Sequence, residues 1–298
     1  MARSPNLLVV DFTTPGDTLS LADGGFVPAS SFADQFPTAS AAQQTIRMIG
    51  RRVESLLSEL PNPPRIVTGG LTDRPGIDLG QSALAVGRAS DSQLVDVIYA
   101  SGLSFSATPI IGVAFLAPEG NNLENYGFTF TASFSPDFRN GRPSAAVRRL
   151  YATRVAVVVA HEYGHLLGLG HVLADPSVDT NLMNNGVPLE RRRLPDATYT
   201  RTQLLRADGE SFCGAQNAFE EFANSLDGTQ PVAPSNNFVY SRGGPVVIGT
   251  PICSAVNPTA AAIDHALSDT LAGSDVPLMN RGRFSARVPG VESSRPQK

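Results

Sequence analysis

Three of the four histidines in this 298-residue chain fall in one segment, HEYGHLLGLGH, which runs from His161 to His171. His161 and His165 lie four positions apart, so on a helix their imidazoles project from one face, one turn from each other. Gly168 can adopt the positive φ that ends a helix, and the chain can then turn back and bring His171 to the same point. The spacing therefore predicts a helix that ends at a three-histidine centre, and the rest of the fold has to be built around it.

This set of side chains suits a zinc ion with one free coordination position. Imidazole nitrogens bind Zn²⁺ at about 2.0–2.1 Å, and three protein ligands leave the fourth tetrahedral position to water, as in catalytic rather than structural sites. Glu162 lies beside the ligand face, where its carboxylate can hold that water through a hydrogen bond and accept its proton. The HExxH pair alone also fits a helix with surface histidines, but Gly168 and the third histidine favour the metal site. We predict one catalytic Zn²⁺ with Glu162 as general base and three ligands: His161, His165 and His171.

The histidine segment closes a long apolar stretch. Pro143-Ser144 followed by AAVRRLYATRVAVVVA predicts a helix over about 145–167 that is buried on nearly all sides. Upstream, residues 40–60 predict an amphipathic helix with Ser40 as its N-cap. An irregular stretch over 101–142 contains Ile110–Leu116 and the alternating Phe128–Phe134, which predicts a strand or hairpin. Further strands are predicted at Leu7–Phe12, Arg65–Thr68, Ala83–Arg88 and Leu94–Ala100. This order favours an α+β or α/β arrangement in which helices cover a sheet.

The composition excludes several other classes of protein. Hydrophobic residues make up 42% of the chain and charged residues 17%, which is typical of a globular protein. A net charge of −4 argues against a nucleic-acid partner, which would need a basic face. No apolar run approaches the roughly 20 residues of a membrane helix, so we expect no membrane partner. The N-terminal residues also lack the apolar run of a secretory signal, so we expect that a presequence has been left out or that the protein stays inside the cell.

Residues 161–171 match HExxHxxGxxH at every fixed position, and in this the chain resembles the metzincin clan of zinc endopeptidases. Metzincins also carry a methionine in a tight turn beneath the zinc, and Met183 with the following Asn184-Asn185-Gly186 resembles that turn. The resemblance spans roughly residues 5–190. It implies an α+β fold with a twisted, mostly parallel sheet, a long active-site helix and a small irregular C-terminal subdomain. It also implies hydrolysis of peptide bonds in a protein or peptide substrate by zinc-bound water that Glu162 activates.

Within the clan the segment is most similar to the matrixin form, which favours glycine at the position of Gly164 and Leu-Gly-Leu before the last ligand. Other positions depart from the known subfamilies. Val172 follows the third histidine where matrixins usually have serine, and Asn185 stands where astacins and serralysins place a zinc-binding tyrosine. No cysteine precedes Cys213, so the matrixin cysteine switch is absent, as is the cysteine cluster of archaemetzincins. We expect a divergent, bacterial, matrixin-like form.

The resemblance also implies where a substrate binds. An extended peptide would pair with an edge strand of the sheet, for which Ala83–Arg88 is the candidate, with Ala83 and Val86 as contact residues. Val187 and Pro188, after the methionine, would line the pocket on the primed side of the scissile bond. A structural Ca²⁺ ion occurs in this family, but no loop of this sequence has the ligand spacing for one.

The remaining predictions concern the organisation of the chain. We expect a catalytic domain over 1–228, with subdomains of about 5–168 and 169–228, and a Pro/Gly/Ser-rich, partly disordered extension over 229–298. Cys213 and Cys253 form one disulfide or remain two buried thiols. His265 is expected to be a solvated helix residue, and Arg191–Arg193 a solvated loop. Tyr199 could reach the cleft, but no feature of the sequence argues that it does.

Three functions compete at this stage. The leading one is a monomeric zinc endopeptidase, secreted or in the cell envelope. The second is a non-catalytic binding or surface module stabilised by zinc, which the presence of Glu162 disfavours because a structural site has no use for a carboxylate that spares the metal. The third is an intracellular peptidase, which rests only on the missing signal sequence.

Overall fold

The computed structural model describes thirteen parts of the chain, and every structural statement below concerns these parts. They are residues 6–12, 18–20, 26–28, 32–69, 95–101, 110–115, 126–134, 138, 143–172, 180–184, 194–205, 215–227 and 238–242. The architecture is a mixed α/β structure with a mostly parallel sheet and packed helices. The strands are β1 (Leu7–Asp11), β2 (Thr18–Ser20), β3 (Phe26–Pro28), β4 (Arg65–Gly69), β5 (Val95–Ser101), β6 (Ile110–Phe115), β7 (Tyr126–Phe130), β8 (Leu204–Leu205), β9 (Ala215–Gln216) and β10 (Phe238–Arg242). The helices are α1 (Ala39–Leu57), α2 (Ala145–Leu166) and α3 (Ala218–Asp227).

Six strands form the main sheet in the order β10-β6-β7-β5-β1-β4. The pairs β1–β4, β1–β5 and β5–β7 are parallel, whereas β6 is antiparallel to both β7 and β10. The inner strand β1, between β5 and β4, is almost entirely buried, as expected for a parallel strand that is covered on both faces. Two small antiparallel pairs, β2–β3 and β8–β9, lie outside this sheet.

The two long helices pack against each other and against the sheet, α2 on β5, β6 and β7 and α1 on β4. From Val155 onward the side chains of α2 are all buried, which confirms the prediction of a helix surrounded by protein. A polar network fixes the first half of this helix. The Tyr151 hydroxyl donates to Gln35 Oε1 over 2.8 Å, and Gln35 Nε2 donates to Thr131 Oγ1 over 2.7 Å. No helix in the described parts is long and apolar enough to cross a membrane.

Three of the predicted element boundaries are wrong, and one of them is the end of α1, which lies at Leu57 and not at residue 60. Helix α1 is capped by Thr38 and not by Ser40: Thr38 has an extended backbone, and its side chain accepts a hydrogen bond from the Ala41 amide over 3.1 Å. The strand predicted to reach Phe134 ends at Phe130, and Thr131–Phe134 forms a 3-10 helix. The alternating pattern continues past the end of the strand. The chain leaves the strand at Thr131, whose hydroxyl accepts from Gln35 in the network with Tyr151.

Candidate metal centre

Helix α2 delivers three residues of the centre from its last turns. His161, Glu162 and His165 are each completely buried. The helix then ends as predicted at Gly168, which has a φ of 94°. The Leu169 amide donates to the Gly164 carbonyl over 2.9 Å, and the Gly168 amide donates to the His165 carbonyl over 3.0 Å. This pair of bonds is a Schellman motif, and it reverses the chain sharply after the second histidine.

The reversed chain returns His171 to the helix, and Gln216 holds it there. Gln216 Nε2 donates to the Gly170 carbonyl over 2.6 Å, and Gln216 Oε1 accepts from the Gly170 amide over 2.9 Å. Both backbone groups of the residue before His171 are therefore fixed by one amide side chain that is 3% exposed. A planar primary amide that bonds to both groups of one residue allows that residue little rotation. Gln216 is thus a positioning residue for the third histidine.

The three histidine side chains converge on one point. Nε2 of His161 lies 3.1 Å from Nε2 of His165 and 3.1 Å from Nε2 of His171. Two nitrogens bound tetrahedrally to Zn²⁺ at 2.0–2.1 Å would lie about 3.3 Å apart. Among the described residues these three histidines form the group that could hold a metal ion. The structure therefore brings together the three histidines that the sequence predicts as metal ligands.

The hydrogen bonds of the rings show why a cation fits there. His161 Nδ1 contacts the Leu182 carbonyl, and His165 Nδ1 lies 2.7 Å from the Leu169 carbonyl. A carbonyl only accepts, so each Nδ1 carries the proton, and in a neutral ring Nε2 is left as a lone pair. Two such lone pairs 3.1 Å apart repel each other unless a cation lies between them. Backbone carbonyls that orient the ligating rings in this way are common around bound metals.

Burial keeps the His161 ring in its metal-binding form. Removal from water, with the nearby His171 as a second cause, lowers the pKa of His161 from 6.5 to about 3. The ring is therefore neutral at physiological pH, and neutral imidazole is the form that donates its lone pair to a metal.

Met183 lies under the helix between the two histidines that α2 supplies. A Cβ atom on Gly164 would meet the Met183 sulfur at 2.5 Å, so only glycine lets this turn approach the helix so closely. The Met183 amide donates to Asn181 Oδ1 over 2.7 Å, and its carbonyl accepts from the Val172 amide over 2.8 Å. The turn that follows the third histidine is thereby tied to the chain that carries that histidine.

Tyr199 packs against the same part of α2 and does not line an open cleft. Its ring is 3% exposed and meets Phe222 edge-on, with centroids 4.8 Å apart. Its hydroxyl donates to the Ala160 carbonyl. Burial, with the nearby Glu162 carboxylate as a second cause, raises the pKa of Tyr199 well above its ordinary value. Tyr199 therefore supports the helix from below as a neutral phenol.

Glu162 is placed by the sheet. Its carboxylate lies against Gly112 of β6, where a Cβ atom would come within 2.0 Å of Oε1. No side chain fits between this strand and the helix at that position. Glu162 follows His161 directly on α2 but is not one of the residues whose ligand atoms converge on the metal position.

Several predicted residues lie outside the described parts of the chain. Nothing in the structure bears on their roles, so these remain predictions. The set comprises the substrate-contact residues Ala83, Val86, Val187 and Pro188, the position Asn185, the cysteines Cys213 and Cys253, His265, and Arg191–Arg193.

Sequence reasoning missed two residues that the structure brings to the centre. Gln216 is 46 positions from the glycine that it fixes, and no local pattern marks it. Gly112 interrupts the apolar run of Ile110–Phe115, and an isolated glycine in a strand can signal a close approach of another group. That signal was present in the sequence, but it does not say what approaches.

Comparison with known proteins gives limited similarity. The sequence matches no protein-family model and no curated protein. Among solved structures, a zinc-dependent peptidase from Methanocorpusculum labreanum is 13% identical, with a TM-score of 0.35, over 64% of this chain and 92% of that one. Archaemetzincin from Methanopyrus kandleri is 18% identical, with a TM-score of 0.31, over 67% of this chain and 93% of that one. The candidate metal centre of this chain is therefore defined by its own geometry, which is the convergence of three buried imidazoles.

Proposed function

We propose that this chain is a zinc-dependent peptidase that hydrolyses peptide bonds in a protein or peptide substrate. The observation that carries the proposal is the position of Glu162. Glu162 is buried, follows His161 directly on α2, and is not one of the residues whose ligand atoms converge. A closed structural zinc site has four protein ligands, whereas a catalytic one has three and a nearby general base. The centre has the second composition.

The side chains of the centre divide the work of hydrolysis. His161, His165 and His171 would hold the ion, and bound Zn²⁺ supplies a Lewis acid that polarises the substrate carbonyl and lowers the pKa of water. Glu162 accepts a proton from the attacking water at a carboxylate oxygen and delivers it to the amine nitrogen that leaves. Gly112 and Tyr199 hold the segment of α2 that carries Glu162. Burial strengthens the electrostatic interactions of these groups because little water screens them.

The finer assignments from the sequence belong to this proposal. The first is that the chain is an endopeptidase of the metzincin type. The second is that Met183 forms the floor of the metal centre. The third is that the protein is secreted or belongs to the cell envelope. The close approach of Met183 to Gly164 supports the role of Met183 as the floor, because Gly164 lies between the two histidines that α2 supplies.

A non-catalytic, zinc-stabilised module is the alternative. The burial of the centre favours it, since none of the three histidines is more than 3% exposed and a substrate must reach a catalytic ion. The carboxylate of Glu162 has no function in such a module.

The test is to compare the full-length wild type with Glu162→Gln on a peptide library, with zinc content measured for both. Gln keeps the shape of the side chain but cannot take up the proton. We expect one zinc per chain in both proteins and a loss of at least 100-fold in kcat for the variant. Glu54→Gln, at an exposed position on α1, is the matched control and should cleave like the wild type. If both proteins bind zinc and neither cleaves any peptide in a chelator-sensitive way, the non-catalytic alternative stands.

A further inference from the structure

The last described strand of the chain covers one edge of the main sheet. β10 pairs antiparallel with β6, with Val239 opposite Ala114, Tyr240 opposite Val113 and Ser241 opposite Gly112. β6 would otherwise end the described sheet on this side, because its other neighbour is β7. β10 comes from the region after residue 228, so part of the predicted extension joins the sheet as its outermost strand.

The covered edge belongs to the strand that contacts Glu162. Gly112 lies against the Glu162 carboxylate, and Ser241 of β10 is the residue in register with Gly112. Neighbouring strands in a sheet lie about 4.8 Å apart. The backbone of β10 therefore runs alongside the centre, one strand spacing from the glycine that positions the carboxylate.

An extended peptide that is to reach Glu162 needs this same edge. A sheet edge binds extended segments through backbone hydrogen bonds, which accept many sequences and fix the register of the segment. The strand nearest to the carboxylate offers the natural partner for a peptide whose amide bond must lie beside that carboxylate. In the described structure β10 already makes those backbone bonds.

The pairing of β10 with β6 is irregular where it passes the centre. Ser241 is opposite Gly112 but Arg242 is opposite Ile110, so the register shifts between these two residues. A bulge interrupts the ladder of hydrogen bonds. The hold of β10 on β6 is therefore weakest beside the centre, where a competing segment would have to enter.

We propose that the chain's own Phe238–Arg242 is a displaceable occupant of the outer edge of β6, the kind of edge with which an extended peptide substrate would pair. A substrate has to displace β10 before its amide bond can reach Glu162. The effect of β10 on substrate binding rests on the proposed peptidase function. The occupancy of the β6 edge by β10 can be measured without any activity.

The experiment uses the full-length protein and proline substitutions in β10. Proline cannot donate to a strand ladder, and neighbouring residues of a strand alternate between bonded and unbonded positions. Val239→Pro and Tyr240→Pro are made as two single variants, so that one of them removes a hydrogen-bond donor from the pairing with β6. Ala233→Pro, outside the strand, is the control. The first readout is hydrogen exchange of the β6 amides in Gly112–Ala114. The second is kcat and KM on a quenched fluorescent peptide.

At least one strand variant should exchange its β6 amides ten or more times faster than wild type, and its KM should fall several-fold with kcat unchanged. A lower KM alone is the signature of a removed internal competitor, whereas general damage to the fold would lower kcat. A synthetic peptide with the sequence of residues 236–244, NNFVYSRGG, should restore both values in that variant, and a scrambled peptide should restore neither. Unchanged exchange in both strand variants, or faster exchange with an unchanged KM, would overturn the inference. If no variant cleaves any peptide while exchange still responds, the peptidase function fails and the occupancy of the edge stands.

Discussion

At the scale of single residues, Glu162 owes its position to the absence of a side chain at Gly112. A methyl group there would lie 2.0 Å from Oε1, well inside the contact distance of two non-bonded atoms. The carboxylate would have to leave the place that it occupies beside the histidines. Gly112 therefore contributes to the centre although it carries no chemistry.

Gly112→Ala should abolish most of the activity while leaving zinc binding intact, since the close contacts of this position are all with Glu162. We expect a loss of about 100-fold or more in kcat, the range of a displaced general base, with one zinc per chain. Gly50→Ala is the matched control because its Cβ would also collide, at 2.7 Å, but with Thr68. A Gly112→Ala protein with wild-type kcat would show that the carboxylate need not lie where the structure has it.

Gln216 allows a second test at this scale, directed at the metal. Gln216→Ala removes both bonds to Gly170 and leaves the residue before His171 free to rotate. We expect the zinc dissociation constant to rise by about 10- to 100-fold, as for other groups that orient metal ligands. Asn217→Ala, which removes a bond to the Arg201 carbonyl and one from the Phe219 amide but none to Gly170, should change it little. Equal zinc affinities in the two variants would count against the positioning role.

These two residues also show the limit of reading the site from the sequence. The three histidines and Gly168 were predictable because their geometry follows from the spacing of one short segment and the period of a helix. Gln216 and Gly112 meet the centre through tertiary contacts between distant parts of the chain, and no local rule connects them to it. The sequence predicts the residues that would hold the metal but not the residues that hold those in place.

At the scale of elements, the start of α1 allows a test of which residue caps the helix, Thr38 or Ser40. Thr38 accepts the hydrogen bond from the Ala41 amide, whereas Ser40 is the second residue of the helix. Thr38→Ala should therefore lower the free energy of unfolding by about 1 kcal/mol, and Ser40→Ala should lower it by much less. Urea unfolding of the two variants beside the wild type measures both values. A larger loss for Ser40→Ala would support the cap that the sequence suggested.

The type of each main element was easier to predict than its limits. Apolar periodicity predicted α1, a continuous apolar stretch predicted α2, and short apolar runs predicted the positions of β1, β4, β5 and β6. The strand β10 was not predictable, because Phe238–Arg242 lies in a region whose composition indicates an extension. Its pairing depends on the open edge of β6, which exists only once the sheet has formed.

At the scale of the whole molecule, we expect a buried acid in the main sheet to make the free energy of unfolding depend on pH. Asp96 of β5 is fully buried, and neither of its carboxylate oxygens has a hydrogen-bond partner in the described structure. Burial raises the pKa of Asp96 well above its ordinary value of 3.8. The folded chain therefore binds this proton more tightly than the unfolded chain does. Stability from this group is present below about pH 4 and is lost as the pH rises toward the folded pKa.

Asp96→Asn removes that dependence, because the amide is neutral at every pH. We expect the variant to have a higher free energy of unfolding than the wild type at pH 7 and no such advantage at pH 4. Urea unfolding at a series of pH values, with both proteins under identical zinc conditions, gives the difference directly. Asp34→Asn, at an exposed aspartate, is the control. A difference between wild type and Asp96→Asn that stays constant from pH 4 to pH 7 would contradict the assignment.

The claim on which the account depends is that one zinc ion is held by three imidazoles, with a coordination position left for the reaction. X-ray absorption at the zinc edge of the full-length protein measures this most directly. The account predicts three imidazole nitrogens at about 2.0–2.1 Å and a further light ligand, with one imidazole lost in His171→Ala. A spectrum with sulfur ligands, with six oxygens, or with no change in His171→Ala would contradict it.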